Sequence, residues 1–218
     1  MSELRSHVIA MSLDGYMAGP QQTLDTPLGE GGERLHEWMF ATSRGREMIG
    51  QSGGTTGIDD AVVVRSFARM GATIMGRNMF GPVLGPWAPV AGEEWRGWWG
   101  EDPPYHHPVF VLTHHAHEPI EMQGGTTFHF VTDGIESALE QARDAAGDDD
   151  VRLSGGAETV REYLRAGLVD ELNIAVAPVL LGAGERIFDG LGDAVDRYAC
   201  VEATAGEGAM HYRLRRRA

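Results

Sequence analysis

The stretch that decides the fold is VRLSGGAETVREYLRAGLVDELNIAVAPVLLGAGERIF, which covers residues 151–188. The stretch begins with a short apolar segment that ends at two glycines. The residues after the glycines have apolar side chains at helical spacing, and Gly167 follows them as a C-cap. The next apolar run, residues 172–177, is rich in alanine and valine, as in a strand that is buried on both faces. Strand, glycine turn, helix and strand in this order predict a βαβ unit with two parallel strands.

The chemistry of such a unit is concentrated at its glycines. Gly155 and Gly156 have no side chains, so a phosphate can approach their backbone, and the N–H groups that open the following helix point toward it. The same pair is equally compatible with a tight strand-to-helix turn that binds nothing. The spacing is not that of the GxGxxG fingerprint, so an ordinary Rossmann domain is not indicated.

Length, charge and cysteine usage set the outer bounds. A chain of 218 residues is predicted to form a single domain, residues 1–218. The net charge of -14 and the pI near 5.0 argue against nucleic acid and anionic membranes as partners. Cys200 is the single cysteine, and no segment reaches the roughly 18 apolar residues of a membrane span. We therefore expect a soluble, cytoplasmic protein.

Strand patterns alternate with helical patterns along most of the chain, which predicts an α/β fold with a mixed sheet and helices on both faces. A helix is expected to run from Asp59, as its N-cap, to residue 70, and another over residues 135–146. The last two strands should form an antiparallel hairpin. The eight candidate strands are residues 7–11, 72–75, 109–112, 127–131, 151–154, 172–177, 197–204 and 210–215.

Two irregular segments are the parts that a substrate would touch. Residues 19–57 form a long polar, glycine-rich stretch, and so long a loop inside a compact domain is usually functional. Residues 82–108 hold four of the five tryptophans among prolines, glycines and acids. These tryptophans could form a lid over a ligand, or they could be buried at a subunit interface. Neither segment contains a motif that names a substrate.

Five short motifs follow one another in a recognisable order: SLDG at residues 12–15, IMGR at 74–77, LT at 112–113, SGG at 154–156 and APVLLGAGERIF at 177–188. Together they resemble the dihydrofolate reductase-like superfamily, and more closely the family of the riboflavin-biosynthesis reductase C-terminal domain. The resemblance spans nearly the whole chain. It implies an eight-stranded, mostly parallel sheet whose strand ends hold NADPH in an extended conformation.

The resemblance also implies roles for individual positions. Ala10 and Met17 would flank the nicotinamide ring, and Arg77 would neutralise the 2′-phosphate, because a guanidinium group matches phosphate geometry. Where dihydrofolate reductases often carry a third glycine and a basic residue, this chain has Ala157 and Glu158, which places an acid near phosphate. The predicted contacts are Gly76, Arg77 and Asn78 at the adenosine-side phosphates, Leu112, Thr113 and His114 at the adenine ribose, and Ser154, Gly155, Gly156, Ala157 and Glu158 at the pyrophosphate.

Two carboxylates are candidate catalytic residues, because hydride transfer also needs a proton from a side chain or an ordered water. Asp14 lies in the SLDG turn, where the resemblance implies that the acid faces substrate. Asp60 lies 16 residues before Gly76, as the folate-binding acid of dihydrofolate reductases does. Each also has a purely structural interpretation, Asp14 as a stabiliser of a turn and Asp60 as an acid favoured at a helix N-terminus. The histidines show no metal-ligand spacing, so no metal is expected.

We therefore predict a stand-alone, homodimeric, NADPH-dependent oxidoreductase. It would transfer hydride to a C=N or C=O group of a small molecule that is pterin-like, ribosylaminopyrimidine-like or of another class. The alternative is a non-catalytic module of the same fold that binds a nucleotide, or a flavin or deazaflavin.

The first test concerns Asp14. Asp14→Asn should abolish turnover and leave the affinity for NADPH within a few fold, because the carboxylate is assigned to the substrate and not to the cofactor. Steady-state kinetics and a cofactor titration measure the two quantities separately. Unchanged turnover would remove Asp14 from the mechanism.

Overall fold

The computed structural model of the protein describes residues 2–81 and 85–217. Within these ranges there are short 3₁₀ helices at Gly32–Leu35, Gln123–Gly125 and Gly192–Arg197, and none of the helices is long and apolar enough to cross a membrane. The α-helices are α1 Glu37–Phe40, α2 Ser43–Met48, α3 Ile58–Phe67, α4 Arg77–Phe80, α5 Ile135–Ala146 and α6 Ala157–Ala166. The strands are β1 Leu4–Ser12, β2 Tyr16–Ala18, β3 Met70–Gly76, β4 Pro108–Leu112, β5 Ile120–Glu121, β6 Thr127–Val131, β7 Asp150–Gly155, β8 Glu171–Ala177, β9 Glu185–Arg186, β10 Tyr198–Ala205 and β11 Met210–Arg216.

The chain divides into two compact units. The first consists of Met1–Leu4 and Arg69–Tyr163, and the second of Arg5–Ala68 and Leu164–Ala218. Nine of the described strands take part in mixed, mostly parallel sheet pairing, and β2 and β9 form a separate two-stranded ladder. The predicted fold class is confirmed, with nine strands in place of eight because the two-residue strand β5 was not predicted.

The first unit contains the longest parallel array. Its strands are hydrogen-bonded in the order β7-β3-β4-β6-β5, and all neighbours are parallel except β5, which is antiparallel to β6. Strand β3 is buried continuously from Ala72 to Gly76, as expected for a parallel strand that is covered on both faces. Helix α5 packs against β3, β4 and β7, and its buried residues Ala138, Leu139 and Ala142 lie on the face that helical spacing predicts.

In the second unit the strand order is β10-β11-β8-β1. Strands β1 and β8 are parallel, and β11 is antiparallel to both β8 and β10, so the predicted C-terminal hairpin is confirmed. The predicted succession of strand, helix and strand is present as β7, α6 and β8, and β8 lies between β1 and β11 in the sheet. The apolar N-terminal strand β1 buries Val8, Ile9 and Ala10.

Helices α1 and α3 build the hydrophobic core of the second unit. Trp38 and Met39 of α1 and Val62 and Val63 of α3 pack in one cluster with strand residues such as Ala175. Burial of a large apolar side chain contributes about 1.5–3 kcal/mol, so these four side chains account for much of the attachment of the helices.

The N-terminus of α3 differs from its predicted form. The helix begins at Ile58 and ends at Phe67, and Gly57 is its N-cap residue, so the prediction of Asp59 as N-cap was wrong. A carboxylate from the β10–β11 turn takes over this role, because Glu207 accepts the N–H groups of Ile58 (3.1 Å) and Asp59 (3.0 Å). Sequence reasoning misses this cap because Glu207 is distant in the chain.

The Asp59 side chain is buried and joins α3 to the hairpin. Its carboxylate accepts the N–H of Gly208 at 2.6 Å and lies 2.6 Å from Nε2 of His211. Asp59 and His211 are 2% and 5% exposed, so water cannot replace these partners. The pair therefore holds the helix and the last strand together.

Asp59→Ala should lower the free energy of unfolding by about 2–4 kcal/mol, because it leaves His211 Nε2 and the Gly208 N–H without their partner in a buried place. Urea unfolding measures this change. Asp60→Ala is the matched control: Asp60 is half-buried and accepts one N–H, from Arg44 at 2.8 Å, so its loss should cost about 1 kcal/mol. Equal effects of the two substitutions would contradict the assignment.

Candidate functional site

Three parallel strands of the first unit end side by side. Gly76 of β3 pairs with Leu112 of β4, and Met75 of β3 pairs with Gly155 of β7. Ligands of open α/β sheets bind at the carboxyl ends of the strands. The three segments predicted for the adenosine side and the pyrophosphate, which begin at Gly76, Leu112 and Ser154, therefore meet at one edge of this sheet.

Gly76 marks a place where two elements approach closely. A Cβ atom at Gly76 would lie 2.2 Å from the hydroxyl oxygen of Thr159 in the first turn of α6, so packing excludes any larger residue. Gly155 adopts a φ of 130°, which residues with side chains rarely adopt, and the Gly155–Gly156 peptide bond is cis. Close packing therefore requires glycine at position 76, and the backbone conformation favours glycine at position 155.

Neither close packing nor the backbone conformation requires a glycine at position 156. A Cβ atom built on it would meet no described atom within 4 Å. The space beside the Gly156 backbone is open, and α6 begins at the next residue, with the N–H groups of its first turn at the positive end of the helix dipole. Ser154 lies two residues earlier in the sequence, and its hydroxyl is buried without a hydrogen-bond partner among the described residues. This arrangement fits an anion such as a pyrophosphate.

Glu158, the acid that departs from the family pattern, forms an ion pair with a neighbouring arginine. It is exposed on α6 and accepts the Nε–H of Arg161 at 3.0 Å. This i, i+3 ion pair balances the negative charge on the helix surface. Ala157, the other departure, is 7% exposed and begins the helix.

Arg77 has an unusual environment. Its three guanidinium nitrogens are buried and make no hydrogen bond within the described chain. The guanidinium carbon lies 3.2 Å from the centroid of the Trp87 ring, so the indole covers its face. Burial lowers the pKa of Arg77 from its usual value, and the group nevertheless remains a cation at neutral pH. Arg77 also begins α4, and Asn78 is exposed in the same turn.

The loop after β4 holds this indole. The Trp87 Nε1–H donates to the backbone oxygen of His115 at 2.8 Å. The Thr113 hydroxyl accepts the backbone N–H of His115 at 3.2 Å, which keeps that oxygen in place. Leu112 is half-buried and His114 is exposed. Trp87 of the tryptophan segment therefore contacts the predicted cofactor residue Arg77, and residues 82–84 of that segment lie outside the described ranges.

The two histidines that precede β4 make separate structural contacts. His107 hydrogen-bonds the Thr73 hydroxyl at 2.7 Å, and burial beside Arg152 lowers the pKa of His107 to about 4. His106 bonds the backbone oxygen of Gly124 at 2.9 Å. Over residues 2–81 and 85–217 no group of three His, Cys, Asp or Glu side chains is placed to hold a metal ion.

Asp14 lies in the second unit, where it binds the loop that follows β8. Its carboxylate accepts the backbone N–H groups of Leu181 (3.2 Å) and Gly182 (2.7 Å), both in the APVLLGAGERIF motif. A hydrogen bond from Ser12, followed by these backbone N–H groups, lowers the pKa of Asp14 to about 2 against the desolvation that raises it. Asp14 is therefore a carboxylate anion at neutral pH, suited to hold the loop and not to donate a proton.

The other predicted site residues of the second unit differ in their burial. Ala10 is 4% exposed within β1, and Met17 is half-buried in β2. Asp60 is half-buried near the start of α3. Sequence reasoning missed two further functional candidates. These are Trp87, which was noted only as one of several loop tryptophans, and Ser12, whose position in the SLDG motif was the available signal.

The sequence of residues 7–212 matches the family model of the RibD C-terminal domain. The chain belongs to this family. Among curated proteins, an uncharacterized protein, YyaP, of Bacillus subtilis (strain 168) is 34% identical over 59 residues, which are 27% of this chain and 31% of that protein. The aligned part thus covers less than a third of this relative.

Solved structures share the fold at low sequence identity. A putative riboflavin biosynthesis protein from Shewanella sp. PV-4 aligns with a TM-score of 0.64 and 21% identity over 100% of both chains. Dihydrofolate reductase from Enterococcus faecalis, complexed with NADP(H) and RAB-propyl, aligns with a TM-score of 0.53 and 13% identity over 99% of this chain and 97% of that one. A deaminase/reductase from Thermotoga maritima aligns with a TM-score of 0.51 and 15% identity, over 99% of this chain and 57% of that chain.

The Asp14 contacts predict a defined pH dependence. The pKa of Asp14 lies below the ordinary 3.8, so its contribution is complete above about pH 4 and is lost as the pH falls toward about 2. Hydrogen exchange of the Leu181 and Gly182 amides, normalised to intrinsic rates, should show protection at about pH 5 that disappears near pH 2. Asp14→Ala should abolish this protection at both pH values.

The control is the Leu13 amide, which donates to the backbone oxygen of Val179 at 2.9 Å and involves no carboxylate. Its protection should change less with pH than that of Gly182. Protection of Gly182 that persists in Asp14→Ala would contradict the assigned role.

Proposed function

We propose that this protein is an NADPH-dependent reductase that transfers hydride to a C=N or C=O group of a small molecule. The observation that carries the proposal is the guanidinium group of Arg77, a buried cation without a hydrogen-bond partner among the described residues. It stands at the strand ends where Ser154 and Gly156 leave room for a second anion. Two separate anion positions on adjoining segments match the 2′-phosphate and the pyrophosphate of NADPH.

Arg77 would bind the 2′-phosphate. A planar guanidinium group presents five N–H donors in a fork that fits phosphate oxygens, and Arg77 uses none of them within the described chain. Thr113 and His114 follow the neighbouring strand β4 and would line the adenine ribose. NADH lacks the 2′-phosphate, so Arg77 would give the protein its preference for NADPH.

The pyrophosphate would lie beside Gly156, against the first turn of α6. The open space at Gly156 admits phosphate oxygens, and the N–H groups of the helix N-terminus together with the Ser154 hydroxyl are available as donors. Pairing of Glu158 with Arg161 reduces the repulsion that an unpaired acid would exert on the phosphate. The residues therefore fit both charged parts of the cofactor.

NADPH, when bound, supplies the hydride. Ala10 and Met17 remain the residues proposed to contact the nicotinamide ring. Asp14, ionised at neutral pH, would orient the loop at Leu181 and Gly182 next to the substrate, and the proton would come from water. Asp60, half-buried and accepting one N–H from Arg44, is proposed to contact the substrate with its remaining acceptor capacity.

The similar proteins support the reductase reading. The Enterococcus faecalis dihydrofolate reductase of the same fold is complexed with NADP(H). The Shewanella protein is a putative riboflavin biosynthesis protein, and the Thermotoga maritima protein is a deaminase and 5-amino-6-(5-phosphoribosylamino)uracil reductase. We propose a substrate of the same general chemistry, a small nitrogen heterocycle that is pterin-like or ribosylaminopyrimidine-like, with other imines and carbonyl compounds to be screened beside it.

The test is a titration of the protein with NADPH and NADH by calorimetry, in the wild type and in Arg77→Gln. Charged hydrogen bonds contribute about 1.5–3 kcal/mol, so Arg77→Gln should weaken NADPH binding about 10- to 100-fold and leave NADH binding nearly unchanged. Arg69→Gln is the matched control, because Arg69 precedes the opposite end of β3 and contacts Asp148 and Asp149.

Gly156→Ala extends the same test to the pyrophosphate. The added methyl group meets no described protein atom, so the variant should keep its thermal stability while binding of NADPH and NADH falls together. A wild type that binds neither nucleotide, or binds both equally well, would overturn the proposed cofactor. A flavin absorption band in the spectrum of the purified protein would indicate that the cofactor is a flavin and not NADPH.

A further inference from the structure

The contact between Trp87 and Arg77 shields the charged group from any ligand. The indole lies face-on over the guanidinium group, 3.2 Å from ring centroid to guanidinium carbon. All three guanidinium nitrogens are buried, and they have no hydrogen-bond partner in the described ranges. A phosphate cannot reach these nitrogens while the covering side chains stay in place.

This burial is physically costly. A cation taken out of water needs hydrogen-bond acceptors or a counter-charge, and an aromatic face replaces only part of its hydration. Stacking satisfies the face of the guanidinium plane, whereas the N–H groups point outward within that plane and remain unused. Replacement of the indole by an anion would therefore stabilise the Arg77 guanidinium group, because the anion would accept hydrogen bonds from its N–H groups.

The indole occupies a defined position. Its Nε1–H is bonded to the backbone oxygen of His115, and its ring makes edge contacts with His117 at 4.7 Å and Phe130 at 4.8 Å between centroids. Phe80 of α4 adds a third contact at 6.0 Å. These neighbours come from α4, β6 and the loop after β4, so residues of the first unit hold Trp87 in place over Arg77.

We propose that Trp87 is a gate on the Arg77 anion site, which an adenosine 2′-phosphate group must displace in order to bind. The choice of ligand rests on the proposed function, and the gate itself rests on the geometry of Arg77. Cofactor affinity is then reduced by the fraction of molecules in which the gate is closed. Trp87 thus sets the affinity for NADPH without being one of the groups that bind it.

Replacement of Trp87 by a small residue should strengthen binding. Trp87→Ala should bind NADP⁺ about 3- to 30-fold more tightly than the wild type, in line with the strength of a partly buried cation–π contact. Trp87→Phe keeps an aromatic face but loses the bond to His115, so its affinity should be intermediate. Binding that weakens in both variants would overturn the proposal, since it would mean that the indole orients Arg77 for the ligand.

A second measurement needs no cofactor. Phenylglyoxal labels accessible arginines, and peptide mass spectrometry gives the labelling rate of each one. Arg77 should react slowly in the wild type and at least several-fold faster in Trp87→Ala, with exposed Arg69 as the internal reference. Trp98→Ala is the matched control, because Trp98 lies in the same segment and makes an edge contact with Trp95 instead of covering Arg77.

The two measurements separate the gate from the cofactor. Faster labelling of Arg77 in Trp87→Ala without NADP⁺ binding by either protein would support the gate and overturn the proposed function. Labelling at the same rate in the wild type, Trp87→Ala and Trp87→Phe would overturn the gate, whatever the cofactor affinity. Should Trp87→Ala prove unfolded by circular dichroism, the comparison of Trp87→Phe with the wild type decides the question.

Discussion

The close approach of Gly76 to Thr159 is the constraint on which the candidate site depends. A strand end and the first turn of a helix lie so near each other that a Cβ atom at Gly76 would be 2.2 Å from the Thr159 hydroxyl. This contact brings the segment after β3 next to the segment after β7. Arg77 and Gly156 therefore become parts of one edge, although they are far apart in the sequence.

The arginines of this acidic chain show how unusual Arg77 is. With a net charge of -14, carboxylates are abundant. Arg213 donates to Glu202 at 3.0 Å and to Glu171 at 3.3 Å, and Arg216 donates to Asp170 at 2.6 Å. Arg77 has no such partner among the described residues and is covered by an indole. A buried cation that is kept apart from carboxylates in an acidic protein is what an anion-binding role requires, and its cost explains why an aromatic side chain covers it.

Carboxylates in the second unit act over long distances in the chain. Glu207 caps a helix about 150 residues earlier, Asp59 joins that helix to the last strand, and Asp14 holds the loop after β8. Asp59 and Asp14 each had a local interpretation in the sequence, Asp59 as an N-cap and Asp14 as a turn former or a catalytic group. Local patterns do not contain the partner, so the sequence alone could not choose between these interpretations.

The sequence by itself determined the periodic elements, the glycine turns and the family. Strands β4 and β7 and helices α5 and α6 lie close to their predicted places, because apolar spacing and glycines act within a few residues. Only the tertiary structure decided that β1 lies beside β8, that Glu207 caps α3, and that Trp87 covers Arg77. The physical reason is that pairing, capping and stacking join residues distant in the chain, where burial and geometry select the partner.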